Sequence, residues 1–88
     1  MKYTVIWLPD AETELARLYN AASNKNELSR AADMLDAALV RLPLAIGESR
    51  SDQTRIAVEL PLAIEYEVRE ADRVVQVNSV WRFVHNSR

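Results

Sequence analysis

The chain has 88 residues, which fits a single domain (residues 1–88) near the lower limit of what folds alone. It has no cysteine and no motif resembling a metal site, so we expect no disulfide, no metal and no other cofactor. Its 11 Lys and Arg are outnumbered by 13 Asp and Glu, for a net charge of −2. General nucleic-acid binding is therefore disfavoured, because it depends on an excess of basic side chains.

The hydrophobic segments are too short for membrane targeting. No apolar run reaches the roughly 20 residues that a membrane helix needs. The apolar stretch before Pro9 is also too short for a signal peptide. These features predict a cytoplasmic protein that does not bind membranes.

The first half of the chain predicts a strand followed by two helices. Residues 3–8 are rich in β-forming side chains, and Pro9 ends that strand. Asp10 is the expected N-cap of the first helix, and residues 23–26 supply the cap of the second. The apolar stripes are Ala11, Leu15, Leu18, Tyr19 and Ala22 in the first helix, and Leu28, Ala31, Ala32, Leu35, Ala38, Leu39 and Leu42 in the second. The two segments form a predicted αα-hairpin that Pro43 and Gly47 end.

The second half predicts three strands after a connector over residues 45–53. Residues 55–59 and 64–69 alternate in polarity, and Leu60-Pro61 turns the chain between them. A charged turn over residues 69–73 precedes the last strand. In that strand, alternation predicts Val75, Val77, Trp81 and Phe83 on one side and Gln76, Asn78 and Arg82 on the other. The predicted fold is α+β with the order β-α-α-β-β-β, a helical hairpin packed on one face of a mainly antiparallel four-stranded sheet.

Three segments together resemble the RelE/ParE superfamily of toxins from type II toxin–antitoxin systems. Residues 7–15 show an aromatic side chain, then Pro, Ala and an acidic residue followed by Leu. Residues 82–88 show an Arg, two apolar residues, a His and a final Arg, and residues 64–68 resemble the Tyr-bearing strand of the family. The order of elements also matches, so the resemblance covers nearly the whole chain.

The resemblance implies a toxin of the plasmid-stabilisation type that a cognate antitoxin neutralises. RelE-like members cut mRNA on the ribosome, whereas ParE-like members are associated with DNA gyrase poisoning. Arg55 falls where RelE-like members carry a Lys, but Ala57 and Ala63 fall where they carry a Lys and an Arg. The chain also stops before the segment that bears the general acid in those members. A ParE-like toxin with a gyrase-type target is therefore preferred, and enzymatic activity is disfavoured.

Two alternatives stay open. One is a non-toxic protein-interaction module with the RelE/ParE fold, and the other is an atypical ribosome-dependent mRNA endonuclease. In either case an antitoxin segment would add a strand to an edge of the sheet or lay a helix on it. The oligomeric state is open, and a homodimer is one option.

The candidate binding residues for the antitoxin or the target are Arg50, Arg55, Arg82, His85 and Arg88. Arg55, Arg82 and His85 are also weak catalytic candidates, since basic and imidazole groups stabilise a phosphate or move a proton. The structural alternatives are a solvated connector for Arg50 and Arg55, a cross-strand pair with a glutamate for Arg82 and a capping role for His85.

Two further expectations concern the surroundings of these residues. Glu59, Glu65 and Glu67 are expected on the same sheet face as the cations, where they would repel a phosphate. Trp7 and Trp81 are predicted to lie in the core.

Overall fold

A computed structural model describes residues 2–51 and 53–83 as two helices packed on one face of a mixed five-stranded sheet. The elements are β1 Thr4–Trp7, α1 Pro9–Ala21, α2 Lys25–Arg41, β2 Glu48–Ser49, β3 Thr54–Glu59, β4 Leu62–Arg69 and β5 Val74–Arg82. The strand order is β1-β5-β4-β3-β2, with β1 parallel to β5 and the other pairs antiparallel. The predicted α+β fold is confirmed, but the predicted count of four strands is wrong because the connector contributes β2. Within the described residues, no helix is long and apolar enough to cross a membrane.

The two helices begin in different ways. The cap of α2 comes from residues 23–26, as predicted, and it is Asn24, whose side-chain oxygen accepts a hydrogen bond from the backbone N–H of Glu27 at 3.0 Å. The predicted cap at Asp10 is wrong, since the N-cap residue is Leu8, two residues earlier, and α1 begins at Pro9. Proline is well suited to the first helical position because it has no N–H to satisfy there.

The side chain of Lys25 closes the end of α1. Its ammonium group donates to the carbonyl oxygens of Tyr19, Asn20 and Ala22 at 2.9, 3.1 and 3.2 Å. It also lies 5.3 Å from the centre of the Tyr19 ring. A cation at a helix C-terminus satisfies carbonyls that have no partner within the helix. The hairpin turn is therefore fastened by the first residue of α2.

The hydrophobic core lies between the helices and one face of the sheet, which we call the helix-facing side. Its buried members are Ala11, Leu28, Ala31, Leu35 and Leu39 from the helices, and Ala57, Leu62, Ile64, Tyr66, Val75, Val77 and Val80 from the strands. Burying one large aliphatic side chain contributes about 1.5–3 kcal/mol. We call the opposite side of the sheet the open face, because no helix of the described chain covers it.

An extra residue in β5 decides which side chains reach the open face. Glu65 pairs with Ser79, but Tyr66 pairs with Val77, so Asn78 is a β-bulge. The bulge resets the alternation, and the prediction that Trp81 and Phe83 share a side with Val75 and Val77 is therefore wrong. Trp81 pairs with Ala63 on the open face and lies outside the core cluster, contrary to the prediction for this tryptophan.

The apolar residue that β3 buries against the helices is the small Ala57 rather than Ile56 or Val58. Ala57 pairs with Ile64 and is buried among the core residues, so its side chain lies on the helix-facing side. Ile56 and Val58 consequently lie on the open face, and the Val58 side chain is 46% exposed. This strand therefore carries apolar residues on both sides, which simple alternation could not assign.

The hydroxyl group of Tyr66 ties the connector after α2 to the sheet. It lies 2.8 Å from the carbonyl oxygen of Pro43 and 3.0 Å from that of Ile46, and its one proton is shared between them. Burial raises the pKa of Tyr66, which keeps the hydroxyl protonated as a donor. Gly47, at φ 72°, completes the connector, and a Cβ atom there would lie 2.5 Å from the carbonyl oxygen of Ile56.

We expect Tyr66→Phe to lower the free energy of unfolding by about 1–3 kcal/mol, because a buried carbonyl loses its donor. Urea denaturation of the variant and the parent measures the difference. The matched control is Tyr19→Phe, whose hydroxyl is on an exposed helix position and should change stability by less than about 0.5 kcal/mol. Equal stability of the two variants would show that the connector is held by other contacts.

Candidate functional site

The open face of the sheet carries an apolar pocket at the end where β3, β4 and β5 meet. It encloses about 510 Å³ and is lined by the apolar side chains of Ile56, Val58, Ala63, Trp81 and Phe83, with Gly47, Glu48 and Arg50 at its border. We call it the Trp81 pocket. Ala63 is fully buried there although it lies outside the core, and Val58 and Phe83 are exposed. An apolar pocket with a few polar groups at its border can hold an apolar side chain or a small hydrophobic ligand.

Next to the Trp81 pocket, the open face becomes polar. A chain of hydrogen bonds crosses it from Arg69 to Gln76 Oε1 at 3.1 Å, from Gln76 to Asn78 Oδ1 at 2.9 Å, and from Asn78 to Glu67 Oε2 at 3.3 Å. Asn78, the bulge residue, is the centre of this chain. The bulge therefore also positions an amide between two strands of the open face.

Around the Trp81 pocket and the polar chain, the three carboxylates of Glu48, Glu65 and Glu67 face the two cations Arg50 and Arg69. Glu65 and Glu67 lie on the open face, because they pair with Ser79 and Gln76 rather than with core residues. The prediction that they share a face with the cations is wrong, since Arg55 and Arg82 lie on the helix-facing side. Glu48 borders the Trp81 pocket. Glu59 pairs with the core residue Leu62 and therefore shares the helix-facing side with Arg55 and Arg82, as predicted.

The side chain of Glu59 points instead towards α2. One of its oxygens lies 4.0 Å from the guanidinium of Arg30. Glu59 and Arg30 therefore form a partly exposed ion pair between β3 and α2. Such an ion pair contributes little to stability.

Arg55 lies on the helix-facing side, where its side chain stabilises the fold. It pairs with the core residue Tyr66, and its guanidinium donates to the carbonyl oxygen of Ile46 at 3.2 and 3.3 Å and to that of Gly47 at 3.3 Å. These bonds hold the same connector that Tyr66 holds. A guanidinium occupied by backbone carbonyls has fewer donors left for a phosphate or a carboxylate of a partner.

Arg82 lies at a different place on the sheet. It pairs with Leu62 on the helix-facing side, at the exposed end of β5. The β4 partners of Arg82 and Arg55 are four residues apart, roughly 13 Å along the strand. The two cations also sit on opposite neighbours of β4, so the structure does not bring them together around one phosphate.

The positions where RelE-like members carry cations do not converge either. Ala57 lies on the helix-facing side, whereas Ala63 lies on the open face. Arg50 is the one candidate cation at the border of the Trp81 pocket among residues 2–51 and 53–83. His85 and Arg88 lie outside the described residues.

A second concave surface lies on the other side of the molecule, between α1 and α2. It encloses about 470 Å³, and its lining includes Trp7, Leu15, Tyr19 and Leu28. We call it the helical groove. Trp7 packs partly against the core, as predicted, and also forms one end of this groove.

Two features of the site could have been anticipated only weakly from the sequence. The Trp81 pocket exists because the bulge reverses the end of β5, and Asn78-Ser79 interrupts an otherwise alternating apolar pattern at that point. The hydrogen bonds that join the connector to Tyr66 and Arg55 correspond to no periodic pattern in the sequence.

No three His, Asp or Glu side chains in the described part of the chain cluster closely enough to hold a metal ion.

Comparison with known proteins shows similarity at the level of structure. No protein-family model matches the chain, and a search of curated proteins gives no match either. The RelBE2 toxin–antitoxin complex of Mycobacterium tuberculosis contains a chain that superposes with a TM-score of 0.76 at 21% identity, covering 93% of this chain and 99% of that one.

Two further solved structures have the same architecture. The chromosomal ParDE toxin–antitoxin system of P. aeruginosa matches with a TM-score of 0.69 at 14% identity, over 94% of this chain and 98% of that one. The isolated RelE toxin of E. coli matches with a TM-score of 0.68 at 16% identity, over 97% and 88%. The fold of this chain is therefore that of the RelE/ParE toxins.

We expect Arg55→Met to lower the free energy of unfolding by about 1–3 kcal/mol, because two connector carbonyls lose a charged donor. Arg50→Met should change it by less than about 0.5 kcal/mol, since Arg50 is exposed at the border of a pocket. Thermal and urea denaturation of the two variants provide the comparison. If Arg55→Met were as stable as the parent, the guanidinium would be available for a role outside the fold.

Proposed function

We propose that this protein is the toxin of a type II toxin–antitoxin system, that a cognate antitoxin neutralises it, and that it acts by binding a protein target of the gyrase type rather than by cutting mRNA. The support for a toxin is the fold shared with RelE and ParDE structures over more than nine-tenths of the chain. The single observation that carries the choice of target is the composition of the open face.

Cutting RNA at this sheet would require cations that hold the scissile phosphate. The open face instead presents an apolar pocket beside Glu65 and Glu67. Two like charges 4 Å apart repel by about 1 kcal/mol in water and by about 4 kcal/mol at the effective dielectric of a protein surface. A phosphate on this face would meet that repulsion, and the cations of the face are Arg50 at the pocket border and Arg69, which is hydrogen-bonded to Gln76.

A protein target meets different requirements. Interface cores are enriched in aromatic side chains and arginine, and a small number of buried contacts carries most of the binding energy. Trp81 and Arg50 at one pocket supply both residue types. We propose that an apolar side chain of the target enters the Trp81 pocket and that Arg50 contacts a carboxylate or a backbone carbonyl next to it.

The remaining candidate residues receive secondary roles in this proposal. Arg82 lies at the exposed end of β5, and His85 and Arg88 follow it in the sequence. We propose these three as contacts to the antitoxin or to the target rather than as catalytic groups. Arg55 serves the connector through its bonds to Ile46 and Gly47, and its contribution to binding would be indirect.

The toxin proposal predicts that induction of the gene alone arrests growth, and that co-expression of the neighbouring reading frame relieves the arrest. Purified protein added to ribosomes with bound message should leave the message intact, because the open face does not favour phosphate. DNA gyrase supercoiling should be inhibited in the same preparation. Normal growth with soluble protein would support the non-toxic interaction module instead, and cleavage of the message at defined positions would support the endonuclease.

The Trp81 pocket can be tested with one surface substitution and a matched control. We expect Val58→Glu to abolish growth arrest while leaving the fold intact, because it places a charge in an apolar binding surface. Met34→Glu is the control, since Met34 is also 46% exposed but lies on α2 on the other side of the sheet. Circular dichroism confirms folding of both variants. Full toxicity of Val58→Glu would exclude the pocket as the target-binding surface.

A further inference from the structure

The outer edge of β1 is an unpaired strand edge. Within residues 2–51 and 53–83, β1 pairs only with β5, so one of its two edges borders no strand. Thr4 and Leu8 donate their backbone N–H groups to carbonyl oxygens on the β5 side. Because backbone groups alternate in direction along a strand, Val5 and Trp7 direct their N–H and C=O groups away from β5. These two residues therefore present four backbone hydrogen-bonding groups at the free edge.

The free stretch of this edge is closed at both ends. The backbone N–H of Tyr3 also points away from β5, but it donates to the carbonyl oxygen of Val40 near the end of α2 at 2.8 Å. At the other end, Pro9 begins α1 and has no N–H to donate. Strand pairing at this edge is therefore limited to the stretch between Tyr3 and Pro9, where Val5 and Trp7 supply the donors and the acceptors.

The side chains of β1 do not protect the edge. Natural proteins block strand edges with charged residues or proline, and the segment Thr4–Trp7 contains neither. Ile6 pairs with Gln76 and so lies on the open face, where its side chain is 46% exposed. An uncharged edge with an exposed isoleucine is suited to pairing with another strand, which would bury both the backbone groups and the side chain.

The hydrogen-bonding pattern selects one antiparallel register for a second copy of this chain. Residues whose backbone groups point outwards must lie opposite each other in such a pair. Val5 of one copy then lies opposite Trp7 of the other, and the two-fold symmetry repeats this contact. A shift by two residues would place one of them opposite Tyr3, whose N–H is occupied, or opposite Pro9, which has none. The first register alone uses all four groups of each edge.

The same register also matches the side chains. Ile6 lies opposite Ile6 of the second copy at the two-fold axis, where the two exposed side chains would contact each other on the open face. Counting outwards from this axis places Lys2 of one copy next to Asp10 of the other, and both residues are exposed. Arg41, at the end of α2 beside Tyr3, would add a second cation near this carboxylate. The two edges are therefore complementary in charge.

We infer that the free edge of β1 pairs antiparallel with the same edge of a second copy of this chain, with Val5 opposite Trp7 and Ile6 at the two-fold axis. The two sheets then form one continuous sheet with the helices of both copies on the same side. A pairing of this length buries less surface than a standard interface, so the dimer is weak and depends on concentration. It leaves both Trp81 pockets uncovered, since no residue of β1 lines them. The inference does not rest on the proposed function, because the pairing needs neither a target nor an antitoxin.

The first test measures the association and locates it on the chain. Sedimentation equilibrium of the full chain from about 10 µM to about 1 mM should show a shift from monomer to dimer. In the same samples, hydrogen exchange of the Val5 and Trp7 amides should slow as the concentration rises. The Thr4 and Ile6 amides should not change, because they bond to the β5 side in the monomer. A chain that stays monomeric at about 1 mM, or a dimer in which the Val5 and Trp7 amides exchange as in the monomer, would overturn the inference.

A charge at the two-fold axis provides the second test. We expect Ile6→Lys to raise the dissociation constant of the dimer at least about tenfold, because two like charges would lie directly opposite each other. Val58→Lys is the matched control, since Val58 is also 46% exposed on the open face but belongs to β3. Circular dichroism confirms that both variants are folded. Equal dissociation constants for the two variants would contradict a contact at Ile6.

The third test examines the register through its predicted ion pair. Asp10→Lys should weaken the dimer by roughly three- to tenfold, the range expected for reversing exposed charges, and the difference from the parent should shrink at high salt. Glu27→Lys is the control, because Glu27 is likewise an exposed acid in the first turn of a helix but belongs to α2, away from the start of α1. It should dimerise like the parent. The same dissociation constant for Asp10→Lys and Glu27→Lys would overturn the proposed register.

Discussion

The β-bulge at Asn78 is the constraint on which the two faces of this molecule depend. Without the extra residue, the strict alternation of β5 would place Trp81 on the side of Val75 and Val77, beneath the helices. With it, Val80 continues the core and Trp81 lies on the open face beside Ala63. One residue in one strand therefore supplies both a closed core and an exposed aromatic pocket, and Asn78 itself joins the polar chain next to that pocket.

The architecture was predictable from the sequence because its signals are local and periodic. Apolar stripes marked the two helices, Asn24 marked the start of α2, and the turns at Leu60-Pro61 and residues 69–73 separated the strands. The wrong predictions concern the sides of the sheet on which the residues of β3 and β5 lie, which hydrophobic periodicity does not determine there. A bulge shifts the register without a characteristic residue, and β3 has Ile56, Ala57 and Val58 in succession, so both of its faces are apolar.

The candidate site was less predictable because it depends on which side of the sheet each cation occupies. Arg55 reads in the sequence as a basic residue at the start of a strand, but its direction and its bonds to Ile46 and Gly47 follow from the packing of a loop 8 to 9 residues earlier. Glu59 lies on the helix-facing side because the register of β3 pairs it with Leu62, and its carboxylate there lies 4.0 Å from Arg30. The structure thus separates Arg55 and Arg82 from Glu65 and Glu67, and the open face combines an apolar pocket with these carboxylates and with Arg50 and Arg69.

The two concave surfaces lie on opposite sides of the sheet, and this separation has a consequence for neutralisation. A helix docked over Leu15 and Tyr19 leaves the Trp81 pocket uncovered, because the sheet and the helical layer lie between them. Under the proposed function, an antitoxin that docks on the helical groove and also blocks target binding needs a second segment that passes an edge of the sheet and reaches the open face. Within residues 2–51 and 53–83 the available edges are β1, which pairs only with β5 there, and the two-residue strand β2, which contains Glu48 and precedes Arg50. The β2 edge gives the shorter route to the pocket, since Glu48 pairs with Ile56 at its border.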